Sequence, residues 1–193
     1  SLAFMAVVLG GWYSGPWRRH ALVFWSSWSA TLSLILAIYL FQSLVGQVYW
    51  AISLLSAASM AGILWGTRTP ERAEVHGLRL ASTVMPAVVF ALHPAWHLLP
   101  GWGVLTVTLL GTGLASWNAG LTFARQAARM RGADTGRSAG ILYAVDLLGT
   151  GGGLFLGGVL LAWWGGFTNT AVAGSLAALA ALLIEPRGRA AAA

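Results

Sequence analysis

The chain has 193 residues, of which 58% are hydrophobic and 8% are charged, and its net charge is +6. Soluble domains carry about 25% charged residues, and a soluble fold of this size could not remove so much apolar surface from water. The mean hydropathy of +0.74 therefore indicates a membrane protein. The absence of cysteine excludes disulfides, thiolate metal sites and iron–sulfur clusters in this chain.

Arginines and prolines divide the chain into apolar segments, and a hydrocarbon layer of about 30 Å needs about 20 residues per helix. The segment at 2–13 is too short to span alone, so we expect the end of a helix that begins upstream, or a short span. Six further spans are predicted, at residues 21–45, 48–66, 80–99, 102–124, 138–164 and 167–184. We therefore expect an all-α, polytopic bundle of about seven transmembrane helices in residues 1–185, followed by a short tail at 186–193.

The arginines fall in alternate connections between these segments. They lie near residues 18–19, 67–79, 125–137 and 185–189, whereas the turns near 46–47, 93–101 and 165–166 have none. Basic loops stay on the cytoplasmic side, so we expect a bacterial inner-membrane protein with a cytoplasmic C-terminus. Short basic runs between apolar segments are not the continuous stripe of a nucleic-acid-binding protein, so the expected partners are lipid and other membrane or periplasmic subunits.

One stretch carries a family resemblance, namely Gly136-Arg137, Leu142-Tyr143-Ala144, Asp146 and Leu148-Gly149. It resembles the end of the membrane domain of bacterial spermidine-synthase-like membrane proteins. The resemblance implies a transporter-like helix bundle. The aminopropyltransferase-type domain of that family has no counterpart here, because the chain shows no strand-rich segment, so its catalysis is not implied.

Asp146 is the leading candidate site residue, because a carboxylate inside a membrane span is costly unless it is paired or hydrated. The sequence leaves two interpretations open: proton, ion or solute binding, or a hydrogen bond that locks two helices together. Tyr143 and Arg137 are the nearest candidate partners on the same segment. Asn118 is an amide well inside a span and could bridge helices.

A second candidate group is His93, Trp96 and His97, on the side without arginines. The histidines are four residues apart and would share a helix face if the helix continued through Pro94. Such a pair could bind one metal, touch a quinone or approach a haem of another subunit. The alternative is a pair of interfacial histidines beside an aromatic belt formed by Tyr49, Trp50, Trp96, Trp102, Trp163 and Trp164.

Gly149, Gly153 and Gly157 repeat every four residues and predict a helix-packing face, because small residues let two backbones approach closely. We expect their helix to be the central packing element of the bundle. No serine is plausibly placed beside a histidine and an acid, so no catalytic group is predicted. No metal site is assigned, and the cofactor, if any, is not indicated.

Two functions follow from the sequence. The first is a transporter-like or scaffold subunit that binds a small cationic solute near Asp146. The alternative is a membrane subunit of a respiratory or photosynthetic redox complex, which docks a cytochrome or binds quinone at its outer face near His93 and His97.

Overall fold

The computed structural model describes residues 18–46, 48–70, 75–91, 93–130 and 135–184, and within these ranges every regular element is a helix. The α-helices are α1 (Arg18–Val45), α2 (Val48–Arg68), α3 (His76–Ala91), α4 (Gly101–Arg129), α5 (Thr135–Gly152) and α6 (Ala162–Ile184). A six-residue 3₁₀ helix at His93–Leu98 follows α3, and a wide π-helical segment at Gly153–Leu161 continues α5.

Four of these helices are long and apolar enough to cross a membrane, as expected of a membrane protein. These candidate spans are Arg19–Leu44, Tyr49–Arg68, Gly101–Arg129 and Gly136–Val159. The predicted span at 80–99 is split between α3 and the 3₁₀ helix, because a residue before proline disfavours helical geometry and His93 precedes Pro94. The segment at 2–13 and the tail at 186–193 lie outside the described residues, so a bundle of seven spans remains a prediction.

The α5 helix and its π-helical continuation pack on α1 through their glycines. A Cβ atom at Gly149 would overlap the backbone of Phe24, and one at Gly153 would lie 2.7 Å from the carbonyl oxygen of Trp28. Gly157 meets the next turn of α1. Because the contact points advance along both helices together, α1 and α5 run parallel, and only glycine allows backbones this close.

A second parallel pair is formed by α2 and α4 in the same way. Gly62 lies against the backbone of Gly113, and Gly66 lies against that of Trp117. In return, Gly120 of α4 lies against the backbone of α2. The fold therefore contains two glycine-packed helix pairs.

The central helix is α1, not α5. The most apolar window of α1 is 72% buried, whereas those of α2 and α5 are each 22% buried. The expectation that the helix after Arg137 is central was wrong because its glycines supply only one contact face; its other face carries exposed Leu147, Leu148 and Phe155. The α6 helix turns at Gly166, where φ is +74°, and then packs against α1 and α3.

The glycine contact between α1 and α5 can be tested with Gly153→Leu. The leucine has no space beside Trp28 and Thr31. We therefore expect the substitution to lower the free energy of unfolding by about 3 kcal/mol, which is the upper end of the usual cost of overpacking a core. Gly151→Leu is the matched control, because a Cβ at this position of the same helix meets nothing within 4 Å. Thermal unfolding in detergent would measure both; equal stability of the two variants would contradict the packing.

Candidate functional site

Asp146 lies about 15 Å along the candidate span that starts at Gly136, a distance equal to half the thickness of a hydrocarbon layer of about 30 Å. Its side chain is partly buried, and Oδ1 accepts a hydrogen bond from the hydroxyl of Ser27 on α1. A polar side chain at this depth normally faces protein or a water-filled cavity. Asp146 contacts protein at Ser27 and also lines a cleft.

The cleft has a volume of about 580 Å³ and lies between α2 and α5, with α1 and α4 at its base. Asp146 is the only charged side chain among the described residues that line it. Hydroxyl groups are the most frequent polar groups there, and Ser59 of α2 shares a 2.8 Å hydrogen bond with Ser116 of α4. The hydroxyl-bearing residues of the lining are Ser27, Thr31, Ser56, Ser59, Thr67, Ser116, Tyr143 and Thr150.

The cleft extends towards one end of the bundle. Its lining reaches Thr67, next to Arg68 at the end of α2, but in the other direction it stops at Ser56, two turns inside α2. Arg19, Arg129 and Arg137 also lie at helix ends on the side of Arg68, as the alternating directions of the helices require. The cleft therefore reaches towards the arginine-bearing end and not towards the opposite end.

The four solute-site candidates are divided between two places. Tyr143 lines the cleft with Asp146, one turn earlier on α5, and is 56% exposed. Arg137 is exposed at the start of α5 and does not line the cleft. Asn118 is buried on another face of α4, where it contacts α3. The hydrogen-bond partner of Asp146 is thus Ser27, a residue that the sequence did not connect with it.

The sequence also missed a buried arginine. Arg79 was expected in the basic loop 67–79, but α3 begins at His76 and the side chain is only 3% exposed. Its Nε donates to the amide oxygen of Asn118 at 3.1 Å, and a terminal nitrogen donates to Thr122 at 3.0 Å. Asn118 in turn donates to the hydroxyl of Thr83 at 3.4 Å. Asn118 therefore bridges α3 and α4. The sequence did carry a signal for this cluster: Arg79 directly precedes an apolar segment, and Asn118 is an amide inside another apolar segment that could pair with it.

Two of the candidates at the opposite end, Trp96 and His97, lie in different environments. Trp96 is buried, and its indole Nε1 donates to the carbonyl of Val89 at 2.9 Å, so it packs inward rather than forming part of the outer belt. The last carbonyls of a helix lack partners within it, which explains this hydrogen bond at the end of α3. His97 is exposed. It lies four residues after His93 in a 3₁₀ helix, whose three residues per turn do not place such positions on one face; the side chain of His93 lies outside the described residues.

Among the described residues, no group of three or more histidine, aspartate or glutamate side chains is arranged to hold a metal ion. The packing glycines lie behind the site, since Gly149 and Gly153 face α1 while Asp146 and Thr150 face the cleft. Close packing at these glycines thus holds the acidic helix against Ser27.

No family model matches the chain, and comparisons with curated proteins and with solved structures also find no match.

The bridge between α3 and α4 can be tested with Asn118→Leu. The substitution removes the acceptor of Arg79 Nε from a buried position, and a buried charged group that loses a hydrogen bond costs about 2 kcal/mol or more. Asn169→Leu is the matched control, because Asn169 is exposed and bonds only its own helix, to the carbonyl of Gly165. Denaturant unfolding in detergent should show a clear loss for the first variant and a change within about 0.5 kcal/mol for the second; similar losses would contradict the bridge.

Proposed function

We propose that this protein is a transporter-like, multi-pass membrane subunit that binds a small cationic solute in the cleft between α2 and α5. The observation that carries the proposal is Asp146, a carboxylate near mid-membrane depth in a cleft that has no basic residue among its described lining residues. Ionisable residues in this situation commonly mark a solute or ion pathway. The proposal agrees with the transporter-like bundle implied by the sequence resemblance around Asp146.

The properties of the cleft favour binding over a purely structural role for Asp146. A carboxylate that only locked two helices would be enclosed between them, whereas Asp146, whose partner among the described residues is Ser27, also lines the cleft. The cleft volume of about 580 Å³ lies within the range of about 300–1,000 Å³ for small-molecule pockets. A cation gains most from such a site, because one negative charge attracts it strongly where water is scarce.

The orientation of the bundle gives the cleft a direction. The arginine-bearing helix ends face the cytoplasm in the orientation that the positive-inside rule favours, so the solute would enter or leave the cleft from the cytoplasmic side. The exposed apolar faces of α2 and of α5 with its π-helical continuation, which carry Leu54, Leu64, Leu148 and Phe155, face the bilayer in this proposal. The proposed location is the inner membrane of a bacterium, with the C-terminus of the chain in the cytoplasm.

Cation binding can be tested with Asp146→Asn, which keeps the size of the side chain and removes its charge. The purified protein would be melted in the presence of sodium, potassium, methylammonium and choline chlorides, because a ligand that binds only the folded state raises its stability. We expect at least one cation to raise the melting temperature of the parent and none to raise that of Asp146→Asn. Thr106→Ala, outside the cleft and bonded to its own helix, is the control that should respond like the parent. The proposal fails if no cation stabilises the parent, or if Asp146→Asn responds like the parent.

The orientation can be tested with single cysteines, since the chain has no cysteine of its own. Gly136→Cys and Gly165→Cys place thiols at exposed positions at opposite ends of the bundle. In intact cells, a membrane-impermeant maleimide should label position 165, and it should label position 136 only after lysis. The reverse pattern would refute a cytoplasmic location for the arginine-bearing end.

A further inference from the structure

Two aromatic side chains share the cleft with Asp146. Tyr143 precedes Asp146 by three residues on α5, and residues three apart lie on the same side of a helix. Phe123 lines the cleft from α4 and packs against the cluster that contains Leu142 and Val145, on either side of Tyr143 in the chain. The carboxylate thus has a ring on its own helix and a second ring on a neighbouring helix.

The cleft is a poor site for a bare divalent metal ion. Ca²⁺ and Mg²⁺ take several oxygen ligands in direct contact, carboxylates among them, whereas Asp146 is the single acidic side chain among the described residues that line the cleft. A cleft of about 580 Å³ is also far larger than a single ion. One carboxylate in a large cleft is better matched to an organic cation, which fills space and needs only one counter-charge.

Aromatic rings attract organic cations through the negative face of the π system, and they do so most strongly where water is excluded. Tyr143 borders the cleft and is 56% exposed, so neighbouring side chains cover only part of it. The hydroxyls of Ser59, Ser116 and Thr150 add uncharged hydrogen-bonding groups along the same cleft. Such a lining suits a solute that combines an ammonium group with an uncharged polar arm.

From this juxtaposition we infer that the cation bound beside Asp146 is an organic ammonium compound, with Asp146 as its counter-ion and Tyr143 and Phe123 as its aromatic walls. The inference rests on the proposed function and narrows its solute class. It makes Tyr143 and Phe123 determinants of specificity, whereas Asp146 determines whether any cation binds.

The probe is choline, compared with sodium and with 3,3-dimethylbutan-1-ol, an uncharged molecule of the same shape as choline. Isothermal titration of the full chain in detergent would measure the binding constants. We expect choline to bind at least tenfold more tightly than either comparison compound. Tyr143→Leu and Phe123→Leu should each weaken choline binding about tenfold while leaving sodium binding unchanged, and Tyr143→Phe should restore most of the affinity because it keeps the ring.

Tyr49→Leu is the matched control, because Tyr49 is 91% exposed and lies outside the cleft, so its removal should not alter choline binding. If sodium or the uncharged compound binds as tightly as choline, or if both ring variants bind choline like the parent, the inference is wrong. In that case the proposed function still stands provided that Asp146→Asn abolishes cation binding. If Asp146→Asn binds cations like the parent, or the parent binds none, the proposed function and the inference are both overturned.

Discussion

Direct contact between helix backbones at glycine is the interaction on which the rest of this structure depends. Lipid tails are as apolar as leucine, so no hydrophobic force draws spanning helices together, and packing must come from close approach. At Gly62, Gly66 and Gly120 the missing Cβ of one helix points at backbone atoms of the other. The glycine hydrogen in that direction can form a weak Cα–H···O contact, each worth about 0.5–1 kcal/mol. Such contacts are short-ranged, so they fix which turns of two helices meet.

The glycine contacts also determine where the polar groups lie. The neighbouring residues Ser26 and Ser27 of α1 face different environments: Ser27 bonds Asp146 beside the cleft, and Ser26 borders the gap beside Arg79. On α4, Asn118 faces the buried arginine while Ala119 faces the cleft. The contact between α1 and α4 therefore separates the buried arginine from the cleft that contains Asp146.

The sequence was sufficient for the helical class, for the segments that became α1, α2, α4 and α5, and for singling out Asp146 as a candidate, because length, hydropathy and the cost of a buried charge are local properties. The partner of Asp146 could not be predicted, since Ser27 is 119 residues away and its hydroxyl looks like many others in the spans.

Arg79 was assigned to a loop because arginines next to apolar segments usually lie at the membrane surface. Trp96 was assigned to the outer belt for a similar reason, and its inward orientation depends on the carbonyl of Val89 at the end of α3. Both errors come from tertiary hydrogen bonds that override a rule about membrane depth.

The arrangement of the two helix pairs has a mechanical consequence. One wall of the cleft, α2, belongs to the pair held on α4, and the other wall, α5, belongs to the pair held on α1. Because each pair is joined backbone to backbone, a shift of one member relative to the other would break these contacts, so each pair forms one packed body. Contacts between α4 and α5 are few, so the boundary between the bodies runs mainly through the packing of α1 on α4. Rocking about that boundary would widen or narrow the cleft while the glycine contacts within each body stay intact.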